Sequence, residues 1–260
     1  MNNIYWIIIA IIASLLLLSV LGIFIFKKYS KLHSKLERIE NNIVKQINKK
    51  SLDNFHQFES LTTLLHFIKP IYPLPKSREW AASPDFLKLL FQIIIDEKPK
   101  TIVEAGSGLS SIIIGYTLKQ FGINGKLYSL DDKIQFSVKS KEQIVKHGLS
   151  DYVNIIHSPI QDYNSENDNF RWYNKKVLED VKDIDLLIID GPGPDVSDNP
   201  RYGALRLLYD KLSKNAVIIL DDGERPVEKR IVENWINLYD DLKTEYIDLE
   251  KGAFILRKIN

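Results

Sequence analysis

Glycines and acidic residues follow the ends of several short aliphatic runs in this 260-residue chain. The first group reads Glu-Ala-Gly-Ser-Gly and places Glu104, Gly106 and Gly108 directly after the run Thr-Ile-Val. Because glycine has no Cβ, such a bend can turn sharply and bring its backbone close to a ligand. The group therefore predicts a ligand-binding turn, although an ordinary tight turn between two elements fits the same residues.

Asp131 ends the next aliphatic run, and a carboxylate there can accept hydrogen bonds from both hydroxyls of a ribose. A solvated loop aspartate is the simpler interpretation. Together with the glycine bend, however, Asp131 indicates a nucleoside site. An enzyme that binds a dinucleotide normally has a third glycine to admit the pyrophosphate, and this chain has Ser110 and Ser111 there. An NAD-dependent oxidoreductase is therefore the weaker alternative.

Three further carboxylates follow two later aliphatic runs: Asp190 ends one run, and Asp221 with Asp222 ends the other. Like charges at close range repel each other unless a proton or a cation neutralises them. We therefore expect either a bound cation or an Asp190 or Asp222 side chain that acts as general base or hydrogen-bond acceptor. A structural alternative is that the Asp221-Asp222 pair caps a helix that begins near Arg225.

The elements that would position these residues alternate between strand-like and helix-like patterns. Strands are predicted at residues 101–105, 126–130, 152–156, 184–189 and 216–220, helices at 83–95, 109–121, 134–147, 204–212 and 227–238, and a hairpin at 244–258. This order predicts a doubly wound parallel α/β sheet, whose ligands bind beyond the carboxyl ends of the strands. The acidic strand ends, with His157 after the third strand, should therefore lie near one site.

Four motifs in this order and spacing resemble class I S-adenosylmethionine-dependent methyltransferases over about residues 80–258. They are Val103-Glu-Ala-Gly-Ser-Gly108, Leu127-Tyr-Ser-Leu-Asp131, Leu186-Leu-Ile-Ile-Asp190 and the run before Asp221-Asp222. The lead-in Trp80-Ala-Ala-Ser-Pro-Asp85 is similar to a bacterial subgroup. The resemblance implies a Rossmann-like, mostly parallel seven-stranded sheet with a terminal antiparallel hairpin, and S-adenosyl-L-methionine as cofactor. It implies that Glu104, Gly106, Ser107 and Gly108 hold its methionine end, Asp131 its ribose and Ser158 its adenine.

The acidic residues are similar to the metal site of the catechol and caffeoyl-CoA O-methyltransferases. This resemblance implies Mg²⁺, which prefers hard oxygen ligands, at Asp190, Asp221 and Asp222, with Asp222 in the place of an asparagine. A bound metal would lower the pKa of an acceptor hydroxyl and orient it. The sequence departs from the pattern because Gly-Pro-Gly-Pro follows Asp190 and no lysine base is near. With or without metal, Asp190 and Asp222 are the predicted catalytic residues.

Three weaker candidates each have a structural alternative. His157 is either a cleft residue or a packing residue. The aromatic run at residues 170–173 either lines an acceptor pocket or seals the domain. Arg201 and Tyr202, after a proline-rich loop, are candidates for contacting an anionic acceptor.

The N-terminal segment predicts a membrane anchor. Residues 4–26 are almost entirely apolar and contain no charge, which is long enough to cross a bilayer as a helix. A cleavable signal peptide is less consistent, since no basic residue precedes the run. Lysines that follow it place the C-terminal part in the cytoplasm by the positive-inside rule. We expect an anchor at 1–26, a helical stalk at 27–76 and a catalytic domain at 77–260.

The stalk has apolar residues at alternating spacings of four and three, namely Leu32, Leu36, Ile39 and Ile43. Such a stripe can pair two chains as a homodimer, or it can lie on its own domain or on anionic lipid. A formal net charge of +1 gives no drive toward nucleic acid, and the absence of cysteine excludes disulfides and thiol chemistry.

These patterns together predict a single-pass cell-membrane methyltransferase that acts on a hydroxyl of a membrane-proximal or small-molecule acceptor. The alternatives are the NAD-dependent oxidoreductase and a membrane-tethered binding protein without catalysis.

Overall fold

The computed structural model describes residues 2–78, 80–164 and 168–259. The chain divides into two compact units, Met1–Phe55 and His56–Asn260. The first element is helix α1, Asn2–Ile68. Residues 4–26 are exposed, and most of their side chains are apolar. Within them the hydroxyls of Ser14 and Ser19 donate to backbone carbonyls one turn earlier, at 2.8 and 2.7 Å, so both hydroxyls are paired inside the helix. By length and composition, α1 is able to cross a membrane.

The second unit alternates helices and strands. The helices after α1 are α2 Pro84–Glu97, α3 Leu109–Gln120, α4 Ile134–Lys146, α5 Gly203–Leu208 and α6 Pro226–Leu238, with short 3₁₀ helices at Lys175–Leu178 and Tyr209–Lys211. The strands are β1 Thr101–Ala105, β2 Lys126–Asp131, β3 Val153–His157, β4 Ile160–Asn164, β5 Asn169–Tyr173, β6 Ile184–Ile189, β7 Leu212–Asp221, β8 Leu242–Ile247 and β9 Ala253–Lys258.

Seven of the described strands form one sheet in the order β3-β2-β1-β6-β7-β9-β8. The first five are parallel, and β9 runs antiparallel to both β7 and β8. This confirms the predicted seven-stranded sheet with a terminal hairpin. Ala105, at the end of β1, pairs with Leu130 on one side and Ile189 on the other. The carboxyl ends of β2, β1 and β6 therefore meet at one edge.

Side-chain alternation explains why the central strands are aliphatic on both faces. Ile102, Leu186 and Ile188 pack into the core on one side of the sheet, together with α2 and α3. Val103 and Leu187, their neighbours in sequence, pack into the core on the other side, with α5 and α6. Since both faces are covered, most positions in these strands are aliphatic, which is typical of parallel sheets.

Three parts of the fold differ from the sequence prediction. The helix predicted at 204–212 ends at Leu208, because a 3₁₀ turn follows and Leu212 already belongs to β7. Strands β4 and β5 form a separate antiparallel pair in a segment where no strand was predicted, because its polar residues hide the alternation. Strand β7 begins at Leu212 rather than at residue 216. The first half of β7 contains the exposed residues Lys214 and Asn215, which interrupt the apolar pattern.

Candidate functional site

The glycine bend follows β1 at the centre of the sheet edge. Gly106 has a φ of +102°, which favours glycine, and its N–H donates to the carbonyl of Leu130 at 2.9 Å. A Cβ on Gly106 would lie 3.2 Å from the backbone nitrogen of Gly191, so the ends of β1 and β6 approach closely here. A Cβ on Gly108 would meet nothing within 4 Å, which leaves open space beside that backbone.

Glu104 lies beneath the bend and is completely buried. Its Oε2 accepts hydrogen bonds from the hydroxyls of Ser111 at 2.5 Å and Ser129 at 2.6 Å. Among the described residues, its Oε1 has no partner. Burial raises the pKa of Glu104, and the serine hydroxyls oppose the shift. The unpaired oxygen is a polar atom in the support of the bend that a bound ligand or water could satisfy.

Asp131 ends β2 next to the bend. Its Oδ2 lies 2.6 Å from the hydroxyl of Ser107, and its Oδ1 accepts from the backbone N–H of Lys133 at 3.1 Å. The Ser107 hydroxyl also lies 2.8 Å from that of Ser140 on α4. Burial raises the pKa of Asp131, while the hydrogen bond from Ser107 lowers it. The carboxylate is thus held at the rim by neighbours that a competing hydroxyl ligand could displace.

A cavity of about 670 Å³ opens at this edge of the sheet. Its lining includes Gly106, Ser107, Gly108, Asp131, Tyr173 and Asp190. The volume is within the range of small-molecule and cofactor sites. An open glycine backbone and a neighbouring carboxylate at the cavity wall together fit a ligand with a nucleoside and a polar amino-acid end.

Ser158 is brought to the same strand edge but not to the cavity lining. Its N–H donates to the carbonyl of Asp131 at 2.8 Å, and its buried hydroxyl donates to the carbonyl of Asn174 at 3.3 Å. A contact between Ser158 and adenine stays a prediction.

The structure brings Asp190, Asp221 and Asp222 together, with one carboxylate oxygen of each within 4.8 Å of the others. Their exposure differs: the Asp190 side chain is 20% exposed and lines the cavity, whereas that of Asp222 is 5% exposed. Burial raises the pKa of Asp190 to about 6, although the Arg201 guanidinium opposes the shift. Burial and the Asp190 charge raise the pKa of Asp221 well above its usual value.

Arg201 occupies the centre of this acidic cluster. Its Nη2 contacts Asp222 Oδ2 at 2.5 Å and Asp190 Oδ1 at 3.3 Å, and its Nη1 is 3.6 Å from Glu228 Oε1. The prediction that Arg201 contacts an anionic acceptor is therefore wrong, because its guanidinium is buried among the protein's own acids. The sequence did contain a signal that could have predicted this role of Arg201, because the neighbouring acids require a cation close to them.

The predicted Mg²⁺ ligands do not fit a metal in this arrangement. Oδ2 of Asp222 also contacts Nη1 of Arg225 at 2.9 Å, so two guanidinium groups engage this carboxylate. Mg²⁺ needs oxygen ligands at about 2.0–2.1 Å, and here the positive charge beside the Asp222 carboxylate is already supplied by arginine. The helix-capping alternative is not formed either, since the N-cap of α6 is Arg225 and no side chain caps it.

Of the three weaker candidates from the sequence, some residues line the cavity and others have a structural role. Trp172 is completely buried in the core, so it seals the domain, whereas Tyr173 lines the cavity. His157 contacts the backbone carbonyl of Asp132 at 3.2 Å and is not among the cavity-lining residues. Tyr202 contacts Asp168 at 3.1 Å, away from the cavity.

Comparisons with known proteins agree with this geometry. The family model described as "Methyltransferase domain" matches residues 103–223. Among curated proteins, no sequence matches significantly.

Three solved structures share the fold. The methyltransferase PaMTH1 of Podospora anserina, bound to S-adenosylhomocysteine, is 15% identical with a TM-score of 0.59, over 82% of this chain and 97% of that one. A putative caffeoyl-CoA O-methyltransferase of Staphylococcus aureus is 19% identical with a TM-score of 0.51, over 82% and 99%. The O-methyltransferase TomG of Streptomyces achromogenes, in complex with S-adenosylmethionine, is 15% identical with a TM-score of 0.53, over 81% and 96%.

The glycine bend, the acidic end of β2, the strand order and the matched family model lead to one conclusion. Residues 103–223 match a methyltransferase domain, and the chain has the fold of class I S-adenosylmethionine-dependent methyltransferases.

Proposed function

We propose that this enzyme transfers a methyl group to an oxygen of its acceptor, with Asp190 as the residue that takes the hydroxyl proton. One observation carries the proposal: Asp190 is the acidic residue of the β6–β7 cluster that lines the cavity, and its backbone lies beside the Gly106 bend. The O-methyltransferases among the solved structures support oxygen as the acceptor atom.

The cofactor-holding roles follow the geometry of the bend. Gly106, Ser107 and Gly108 would contact the methionine end through their backbone, and Glu104 would fix the bend from below. Asp131 would accept the ribose hydroxyls in place of its contact with the Ser107 hydroxyl. Such hydrogen bonds to a carboxylate are stronger than neutral ones.

When bound, S-adenosylmethionine supplies a methyl group on a positively charged sulfur. The chain's own residues then have two tasks, which are to align the acceptor oxygen and to remove its proton. The carboxylate of Asp190 accepts the proton as the oxygen forms its bond to the methyl carbon, and the sulfur keeps the electrons of the broken bond. Asp222, predicted as a second catalytic residue, is poorly placed for this because arginines engage its Oδ2.

An amphiphilic acceptor that lies near a membrane is favoured by a second cavity. This cavity, of about 620 Å³, is lined largely by apolar residues, and it shares Pro75, Lys76 and Leu109 with the first cavity. An apolar tail there would leave the polar end of the same molecule near Asp190. Trp80, 86% exposed at the first cavity, adds apolar surface that an amphiphile could cover.

The cellular location rests on α1. We infer a single-pass cell-membrane protein with its catalytic domain in the cytoplasm, supported by the apolar residues 4–26 and the lysines that follow them. The exposed stripe from Leu32 to Ile43 supports a homodimer through the stalk, and pairing stays a prediction.

Radiolabelled S-adenosylmethionine tests the reaction. The full-length chain in detergent is incubated with separate lipid and water-soluble fractions of a cell extract. We expect label in the lipid fraction as a methyl ether, which resists alkaline hydrolysis, whereas a base-labile methyl ester would overturn the role of Asp190. Label on nitrogen or carbon would overturn O-methylation, and label confined to the soluble fraction would overturn the amphiphilic acceptor.

A further inference from the structure

Arg201 joins the ends of two central strands. Its Nη1 donates to the backbone carbonyl of Asp221 at 2.7 Å, and its Nη2 donates to that of Asp190 at 2.8 Å. These carbonyls lie at the ends of β7 and β6, where the acidic cluster begins. The guanidinium is thus fixed by backbone contacts as well as by charge, and its position does not depend on a flexible partner.

The same guanidinium supplies a buried positive charge to the cluster. It contacts carboxylates of Asp190, Asp222 and Glu228, while its side chain is 4% exposed. Arginine remains protonated in proteins, so this is a permanent positive charge. A buried charge is strongly destabilising when its partners are removed, which makes the arginine and the acids mutually dependent.

We propose that Arg201 is the built-in cation of this catalytic site, in the position where the acidic residues alone would call for a divalent metal. The inference rests on the proposed O-methyl transfer and deepens it. Methyl transfer then requires no divalent metal, and Arg201 acts as a positioning residue that holds Asp190 at the cavity wall.

The positions of Asp190 and Arg201 explain why only Asp190 meets the acceptor. Asp190 lines the cavity, and Arg201 is not among the lining residues, so the cation lies behind the carboxylate. A metal in such a site would contact the acceptor oxygen directly and lower its pKa. A guanidinium behind Asp190 instead leaves the acceptor's proton to Asp190 itself.

A metal that displaced Arg201 would have to break its contacts with two carbonyls and three carboxylates. The displaced guanidinium would then need new partners for its charge. A divalent ion beside the undisplaced guanidinium would meet a positive charge that touches Asp222 Oδ2 at 2.5 Å. Both routes oppose metal binding.

Electron paramagnetic resonance of Mn²⁺ tests the proposal, because Mn²⁺ takes the same hard oxygen ligands as Mg²⁺ and its free signal is quantitative. The full-length chain in detergent is titrated with Mn²⁺, with Asp190→Asn as the control for weak surface binding. We expect the wild type and Asp190→Asn to leave equal free Mn²⁺. Arg201→Ala should bind one additional Mn²⁺, and Arg201→Ala with Asp190→Asn should lose it.

Arg201→Lys separates charge from packing. It retains the positive charge without the planar fork, so we expect it to bind no additional Mn²⁺. Additional binding by Arg201→Lys equal to that of Arg201→Ala would overturn the role of the charge.

If the Arg201 variants do not fold, Mn²⁺ binding by the wild type still tests the proposal. One Mn²⁺ bound per wild-type chain, and lost in Asp190→Asn, would overturn the proposal. S-adenosylhomocysteine binding is measured on the same samples, so a failure of the proposed function is seen separately from a failure of this inference.

Discussion

The three acids at the ends of β6 and β7 differ in their surroundings, although the sequence presents them alike. Asp190 faces the cavity, Asp222 is engaged by two arginines, and both oxygens of Asp221 lack a partner among the described residues. Burial and the neighbouring acids raise the pKa of Asp221 well above its usual value. The sequence predicted which acids meet but not which one faces the acceptor, because that depends on Arg201.

We predict that Asp190→Asn removes most methyl transfer while cofactor binding remains. Asparagine keeps the size of the side chain but cannot accept the proton, and general-base catalysis typically contributes about 10²- to 10⁴-fold in rate. The measurement is label transfer from radiolabelled S-adenosylmethionine, with affinity for S-adenosylhomocysteine as a second readout. The exposed Asp180→Asn is the matched control. An Asp190→Asn enzyme that keeps wild-type activity would show that another group removes the proton.

At the scale of elements, the bend between β1 and α3 depends on two glycines for different reasons. Gly106 needs its positive φ and its close approach to Gly191, whereas Gly108 has a φ of 168°, extended backbone that any residue adopts. Sequence alone predicted the bend from both glycines. It could not separate their roles, because the approach of β6 is a tertiary contact.

Gly106→Ala and Gly108→Ala should therefore separate stability from cofactor affinity. Gly106→Ala should destabilise the fold by about 1–2 kcal/mol from its backbone conformation, before any crowding of Gly191. Gly108→Ala should change stability by less than about 1 kcal/mol, while its methyl group reduces the space for the cofactor. Thermal unfolding and titration with S-adenosylhomocysteine measure the two effects. Equal melting temperatures for the two variants would contradict this distinction.

A second link between elements involves His147, at the end of α4. The Tyr116 hydroxyl lies 2.8 Å from Nδ1 of His147 and accepts from the backbone N–H of Ile71 at 2.9 Å. The Tyr116 hydroxyl is thus placed to donate to Nδ1 of a neutral imidazole. Burial, followed by the charge of Lys146, lowers the pKa of His147 below its ordinary 6.5.

This contact predicts a pH dependence of stability. The unfolded chain binds the His147 proton more readily than the folded chain, so stability rises with pH in this range. The contribution is complete above pH 6.5 and is lost as pH falls through the lower folded pKa. The slope is at most about 1.4 kcal/mol per pH unit for one proton. His147→Asn, which keeps an acceptor for Tyr116, should reduce the slope, and the exposed His33→Asn should not. Urea unfolding at several pH values decides between them.

For the whole molecule, most of the sheet could be predicted from the sequence because its strands are buried on both faces. The strands at Thr101–Ala105 and Ile184–Ile189 have the predicted bounds. The β4–β5 pair could not be predicted, since its stability comes from tertiary packing of Trp172 and Tyr173 rather than from a local pattern. The sequence predicted that the strand-end acids and the glycine bend meet at one edge, whereas it did not predict that Arg201 is buried among the acids; the roles of the site residues stay predictions.

The membrane orientation can be tested because the chain contains no cysteine. We predict that a cysteine at Asn3 reacts with a membrane-impermeant maleimide in intact cells, since the proposed orientation places Asn3 outside. A cysteine at the exposed Ser150 should react only after permeabilisation. Labelling of Ser150→Cys in intact cells would reverse the orientation, and recovery of the protein in the soluble fraction would contradict the anchor.

Isothermal titration of the full-length chain in detergent with S-adenosylhomocysteine tests the central claim most directly. We predict saturable binding of one ligand per chain at micromolar concentration. Asp131→Ala should weaken it at least about tenfold, because a hydrogen bond to a charged group contributes about 1.5–3 kcal/mol. NAD should not compete. Absence of binding at millimolar S-adenosylhomocysteine, or tighter binding of NAD, would contradict the assignment.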